Sequence, residues 1–256
     1  MNLHDAVCIV TGSATGTGAA CATQLARKGC RVVVNFTKSQ EEAAETVEKC
    51  RSAGGDAIAV RADVASNADC QLLARTALDK WGKIDGLINN AGITKFAPAA
   101  DLDALSAEDF QRIYAVNVIG PYQMIRACAP AMKTQGAGAI VNISSISSVM
   151  GVGSSTAYVA SKGALNAMTL ALARSLAPAI RVNAVCPGLI ETRWHQSRFS
   201  PEEYAKFKAG YERSVPLAKA SSADDIAEVT VWLLEGAAHV TGETILVDGG
   251  MHLGKF

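Results

Sequence analysis

A strand-sized apolar run, Ala6-Val-Cys-Ile-Val10, passes directly into Thr11-Gly-Ser-Ala-Thr-Gly-Thr-Gly18, a turn in which Gly12, Gly16 and Gly18 carry no side chain. A helix-like segment follows over 19–28, with Ala22, Leu25 and Ala26 on one face and Gly29 where a C-terminal cap belongs. A second apolar run, Arg-Val-Val-Val-Asn-Phe at 31–36, closes the unit. Strand, glycine turn, helix, strand is a βαβ unit. No other feature constrains the fold as strongly. It commits the chain to a right-handed crossover and to a parallel sheet with helices on its faces.

The alternation continues. Ser39-x-x-Glu42 reads as a capping box opening a helix that ends at Gly54-Gly55. A strand over 57–60 leads to Asp63 and Val64, and Ser66-x-x-Asp69 opens a helix with Cys70, Leu73, Ala74, Ala77 and Trp81 on one side. A strand over 84–88 runs into Asn89-Asn-Ala-Gly92, and one long helix runs from Ser106-x-x-Asp109 through Asn117 towards Lys133. A strand over 139–143, a helix over 157–176 and a strand over 180–186 follow, the last closed by Pro187-Gly188. Segment 192–216 is less regular and predicts one or two lid helices, since Ser200-Pro-Glu-Glu is a good helix start. A helix over 225–234 and a strand over 243–247 complete the pattern. The expectation is an α/β fold of three layers: a seven-stranded parallel sheet in one domain over 1–256, with a lid at about 192–216.

Right-handed crossovers put every strand's C-terminal end on one edge of such a sheet, where ligands bind. The glycine turn, Asp63, Asn89–Gly92, Ser144-Ser145 and Pro187-Gly188 all follow strands and converge on that edge. The helix starting near Gly16 points its free N–H groups at the same place, which suits a pyrophosphate. No Gly-Lys-Ser/Thr follows the glycines, which argues against a nucleoside-triphosphate loop. Tyr158 and Lys162 are one helical turn apart on one face. A phenol ionises near pH ~10. An adjacent ammonium is expected to lower that value and fit the phenol for proton transfer.

The composition narrows the function classes. Lys+Arg and Asp+Glu both number 24, so the formal net charge is zero, and no footprint for nucleic acid or an anionic membrane is expected. No apolar run spans a bilayer, and the opening Met1-Asn-Leu-His-Asp5 runs straight into a strand, so cytoplasmic residence is the expectation. With only 5% aromatic residues, the core is expected to rest on Ala, Val, Leu and Ile. The seven cysteines are scattered without Cys-x-x-Cys and read as small core hydrophobes. The four histidines show no metal-ligand spacing, and no metal site is expected.

Taken together, Thr11-Gly-x-x-x-Gly-x-Gly18, Asn89-Asn-Ala-Gly92, Asn117, Ser145, Tyr158-x-x-x-Lys162 and Pro187-Gly188 resemble the short-chain dehydrogenase/reductase family, in its compact single-domain branch. The resemblance spans about residues 6–250. It implies a Rossmann fold, a bound NAD(H) or NADP(H), and reversible interconversion of a ketone and a secondary alcohol. It makes Tyr158 the general acid/base, Lys162 its electrostatic partner and a ribose ligand, Ser145 the group polarising the carbonyl, and Asn117 the support of a proton-relaying water. Ser145 is chosen over Ser144, Ser147 and Ser148 on family spacing. Gly12, Ser13, Thr15, Gly16 and Gly18 would cradle the pyrophosphate. Asp63 and Val64 would touch adenine, and Asn90, Ala91 and Gly92 would line the cofactor. Pro187, Gly188, Ile190 and Thr192 would lie at the carboxamide.

The end of the second strand bears on the choice of cofactor. An NAD-selective site usually has a carboxylate there for the ribose 2′-hydroxyl. This chain has Asn35, then Thr37 and Lys38, and no acid before Glu41, so NADP(H) is favoured over NAD(H). Lys38 as an ordinary solvated loop charge is the competing reading, and Thr15 stands where NADP-preferring relatives often carry a basic residue. The aromatic residues of the lid, Trp194, Phe199, Tyr204, Phe207 and Tyr211, are candidates for an apolar substrate wall; His195 reads as a surface or lid residue. The resemblance is closest to 3-oxoacyl-(acyl-carrier-protein) reductases. Sugar or hydroxysteroid-type dehydrogenases, and a non-catalytic dinucleotide-binding protein, are the alternatives. It also implies a homotetramer built partly on the helices at 108–133 and 157–176, acting on a small-molecule carbonyl or alcohol.

Overall fold

The computed structural model describes residues 1–254; residues 255–256 and the side chain of His195 lie outside the described residues. Seven strands form one sheet in the order β3-β2-β1-β4-β5-β6-β7. They are β1 (Val7–Val10), β2 (Arg31–Phe36), β3 (Asp56–Arg61), β4 (Gly86–Asn89), β5 (Gly138–Ile143), β6 (Ile180–Pro187) and β7 (Thr244–Val247). Every neighbouring pair is parallel. The chain winds outward from β1 in both directions, so the switch point lies between β1 and β4, where a crevice must open at the strands' C-terminal ends.

Helices cover both faces. One layer of the core joins the sheet to α1 (Gly16–Arg27), α2 (Gln40–Ser52) and α10 (Ala223–Glu235) through Leu25, Val47, Ile226 and Leu234. The other joins it to α3 (Asn67–Trp81) and α5 (Gly120–Gln135) through Leu73, Met124 and Met132. Each such side chain withdrawn from water contributes roughly 1.5–3 kcal/mol. The core is aliphatic, as the composition predicts. All seven cysteines are buried and unpaired; burial pushes the Cys21 and Cys128 thiols up to about 12, which leaves them inert packing groups.

Several elements depart from expectation for local reasons. α1 begins at Gly16, three residues before the helix start expected at 19. β4 begins at Gly86 rather than at residue 84, because the Asp85 carboxylate itself accepts the Val7 N–H at 2.8 Å. The long helix expected from Ser106 is interrupted. It consists of α4 (Ala107–Tyr114), a π turn over Ala115–Ile119, and α5. A short helix, α6 (Ser147–Met150), precedes α7 (Thr156–Leu176). Capping boxes form at Ser106, Ser200 and Ser222. The one expected at Ser39 does not, because Arg193 occupies both of its oxygens. The lid contains two helices, α8 (Arg193–Gln196) and α9 (Pro201–Ser214). Among the described residues no helix is long and apolar enough to cross a membrane, and no group of three or more His, Cys, Asp or Glu is placed to hold a metal ion.

Candidate active site

The glycine turn is fixed from three sides. The Thr11 hydroxyl accepts the N–H groups of Asn90 and Ala91, each at 3.0 Å. The Asn90 amide donates back to the carbonyls of Thr11 and Gly12 at 3.0 and 2.9 Å. Asn35, at the end of β2, accepts the Gly12 N–H at 3.0 Å and donates to the Ala62 carbonyl at 2.9 Å, so its amide is spent on joining the turn to β2 and β3. The turn leaves no room for side chains at two points. A Cβ on Gly12, whose φ is +59°, would lie 2.9 Å from the Ala91 Cα, and one on Gly18 would lie 2.5 Å from the Gly12 carbonyl oxygen. Thr15 is the N-cap of α1 but its hydroxyl caps nothing, so the first-turn N–H groups stay open towards the crevice.

That crevice encloses about 1270 Å³ and runs along the sheet edge. Pockets for a drug-sized ligand run to about 1,000 Å³, so there is room for a dinucleotide with a second molecule beside it. Of the residues the sequence assigns to the cofactor, Gly12, Thr15 and Gly16 of the turn line it, as do Thr37, Lys38, Asp63, Val64 and Asn90–Gly92. So do Pro187, Gly188, Ile190 and Thr192 at its far end. Ser13 is turned inward: it is fully buried and its hydroxyl donates to the Val10 carbonyl at 2.6 Å. Gly18 lies beneath the turn and acts by letting it close.

Ser145, Tyr158 and Lys162 also line the crevice. β5 carries Ser144 and Ser145 off its C-terminal end, and α7 presents Tyr158 and Lys162 one turn apart. The four serines now differ in what they touch. Ser144 donates to the Lys162 carbonyl, Ser147 pairs with Ser145 at 3.0 Å, and Ser148 donates to the Ser145 carbonyl. Ser145 is the one whose hydroxyl acts on the Tyr158 phenol, holding its pKa down against burial. Burial pushes that phenol up to about 12, with the Ser145 hydrogen bond working in the opposite direction. Burial also brings the Lys162 ammonium down to about 8. The expected lowering of the phenol by Lys162 is absent from this arrangement. The ammonium donates to the Ile143 carbonyl at 2.8 Å and lies 5.6 Å from the tyrosine ring centroid, and desolvation dominates both groups.

Asn117 sits in the π turn, fully buried. Its amide accepts the Ile93 N–H at 2.9 Å and donates to the Ile93 carbonyl at 3.0 Å and the Ser161 hydroxyl at 3.1 Å. It clasps the loop after β4 to α7 rather than facing the crevice. The π turn is what aims it, since one extra residue re-registers the helix face.

The lid closes the far side. The Trp194 ring lies 6.0 Å from that of Tyr158, and Phe199 stacks on Phe207 at 5.3 Å. Tyr211 is a structural strut, its hydroxyl accepting the Leu189 N–H and donating to the Asp248 carbonyl. Two contributors escaped sequence reasoning. Phe96 stacks under the Arg198 guanidinium at 3.6 Å, and Arg193 ties the lid to Ser39 and Glu42. Neither lies in a recognisable motif. Only the failure of the Ser39 box, which appears once the chain is folded, marks Arg193.

The family model described as enoyl-(acyl carrier protein) reductase matches residues 12–252. The "Granaticin polyketide synthase putative ketoacyl reductase 2" of Streptomyces violaceoruber is 42% identical over 247 residues, 96% of each chain. This chain belongs to the short-chain dehydrogenase/reductase family. The 3-oxoacyl-[acyl-carrier-protein] reductase of a Synechocystis species is 36% identical over 248 residues, again 96% of each chain. The crystal structure of a Burkholderia xenovorans protein described as a putative short-chain dehydrogenase/reductase superposes with a TM-score of 0.91 at 37% identity, over 98% of this chain and 99% of that one. The protein is thus an oxidoreductase of a family that binds nicotinamide dinucleotides and acts on CH–OH and C=O groups.

Proposed function

We propose that this enzyme reduces a ketone to a secondary alcohol, and reverses that reaction, with Tyr158 as general acid/base and NADP(H) as its preferred cofactor. The observation that carries the reading is the convergence of Ser145, Tyr158 and Lys162 on the wall of one crevice, with the Lys162 ammonium 5.6 Å from the tyrosine ring centroid. The dinucleotide fits the residues present: Gly12 and Gly18 tolerate no Cβ, and the open N-terminus of α1 faces the same space. When bound there, it supplies the hydride for the carbonyl carbon or accepts it from the carbinol carbon.

The chain's own groups do the rest. Ser145 Oγ donates a hydrogen bond to the substrate oxygen and stabilises the charge that builds there. Tyr158 Oη gives its proton to that oxygen in reduction and takes it back in oxidation. At about 12 the phenol stays protonated throughout the neutral range, which suits a donor. Lys162 Nζ, held on the Ile143 carbonyl 5.6 Å from the tyrosine ring centroid, keeps an ammonium beside the site, and Asn117 holds the loop and α7 in register around it. Trp194, Phe199 and Phe207 shield the site from water with an apolar surface.

The ketoacyl reductases among the relatives support a 3-oxoacyl-type substrate. The preference for NADP(H) is supported by the end of β2, where Asn35 is already spent and the exposed Lys38 follows. We further propose a cytoplasmic homotetramer. The test is a panel of 3-oxoacyl thioesters, simple ketones and alcohols read by NADPH absorbance, beside Tyr158→Phe. Turnover that survives intact in Tyr158→Phe refutes the mechanism. A wild type that binds cofactor yet turns over nothing refutes the enzyme.

A further inference from the structure

Arg193 opens α8 at the nicotinamide end of the crevice, directly after Thr192. Its side chain does not stay there. It reaches the loop after β2, donating to the Ser39 hydroxyl at 3.1 Å and to the Glu42 carboxylate at 2.9 Å. Thr192 itself packs over the glycine turn: a Cβ on Gly16 would lie 3.6 Å from its methyl group. The guanidinium therefore crosses the turn and ends at Thr37–Ser39, where the adenosine ribose of a dinucleotide must lie if its pyrophosphate sits on α1.

Two more cations converge on this loop. Lys38 lies within it and lines the crevice, and Arg61 donates to the Thr37 carbonyl at 3.2 Å. Glu42 is the acid that opposes them, and its pairing with Arg193 holds its carboxyl below the usual range and cancels its charge. Arg193 is half exposed and carries more N–H donors than its two partners use, so a phosphate oxygen can be added beside Ser39 without dismantling the pair.

We propose that Arg193, a lid residue, is a specificity-determining ligand for the cofactor's 2′-phosphate, acting with Lys38 and the Ser39 hydroxyl, while Glu42 holds it in position. This rests on the NADP(H) preference proposed above. It adds that the selecting cation comes from the lid as well as from the β2 loop, so that one guanidinium reads the cofactor's identity and fastens the lid across it.

The probes are 2′,5′-ADP, which carries the phosphate, and 5′-AMP, which lacks it, titrated by calorimetry into wild type, Arg193→Gln, Lys38→Gln and Glu42→Gln. A hydrogen bond between charged groups corresponds to a loss of about tenfold or more in affinity. Arg193→Gln is expected to weaken 2′,5′-ADP by about that factor and leave 5′-AMP unchanged. Glu42→Gln keeps an acceptor oxygen to hold the guanidinium in place while removing the opposing charge, and is expected to keep or raise the preference for 2′,5′-ADP. If wild type prefers 2′,5′-ADP and Arg193→Gln keeps the same ratio, the role of Arg193 is refuted while the NADP(H) preference stands. If wild type binds both probes alike, both are refuted. Equal weakening of both probes in Arg193→Gln shows general lid support and also overturns the proposal. The Lys38→Gln ratio then measures how much selection lies in the loop alone.

Discussion

Tyr158 and Lys162 form a pair whose ionisation is set by burial before it is set by their mutual attraction. The phenol sits at about 12 and the ammonium at about 8, each moved towards its neutral form. Sequence spacing shows that the two share a helix face. It does not show how deeply the phenol is buried, which is what raises Tyr158 instead of lowering it, nor that the ammonium is spent on the Ile143 carbonyl. Tyr158→Phe keeps the ring and removes the proton, so kcat should fall by about 10²–10⁴-fold with cofactor affinity unchanged, as read by steady-state kinetics and a binding titration. Reduction should also weaken as pH climbs through about 8, where Lys162 loses its charge, and a pH profile of kcat/KM should lose that limb in Lys162→Met. Stability shows the same group from the other side. Its folded pKa lies below its unfolded value of 10.5, so between about 8 and 10.5 the unfolded chain binds more protons and stability rises with pH. Urea denaturation should therefore find Lys162→Met more stable than wild type at pH 7, with the gap closing across that window. A gap that stays constant would mean that Lys162 does not titrate near 8.

Single elements show where pattern reading stops. The glycine turn was readable because its function demands missing side chains, and a missing side chain is visible in a sequence. Gly18→Ala should confirm the closeness of that fit. Its Cβ would lie 2.5 Å from the Gly12 carbonyl oxygen and 2.6 Å from the Asn90 amide, neither of which can move without opening the turn. The expected cost is about 1–3 kcal/mol in urea denaturation, with cofactor affinity at least about tenfold lower. Wild-type affinity in the variant would show that the turn can relax. The π turn at 115–119 left no such mark, because the residues around it keep helical periodicity and only the hydrogen-bond register changes. Ser39-x-x-Glu42 failed for a different reason. The box is locally sound, but Arg193, 154 residues away from Ser39, offers both oxygens a charged donor, and a long-range contact overrode a local preference.

At the scale of the whole molecule, the sheet order made most of the site readable. Once seven parallel strands are wound from one switch point, residues as far apart as Gly12 and Thr192 must share an edge. Winding says nothing about the outer surfaces of the helices, and there the structure adds an observation. Ile119 at the end of the π turn, Tyr122 on α5 and Leu170 on α7 are exposed large apolar side chains within the two stretches, 108–133 and 157–176, that family resemblance assigns to subunit contacts. A formal net charge of zero leaves little long-range repulsion between copies. Burying these side chains between subunits would return roughly 1.5–3 kcal/mol for each one fully removed from water. Light scattering at micromolar concentration should therefore give a mass near four times 26.6 kDa. Leu170→Glu combined with Tyr122→Glu places carboxylates on both faces and should shift the distribution to smaller species without unfolding them, as circular dichroism would verify. A wild type that scatters as a monomer contradicts the assembly, and an unshifted tetramer in the double variant moves its contacts away from α5 and α7.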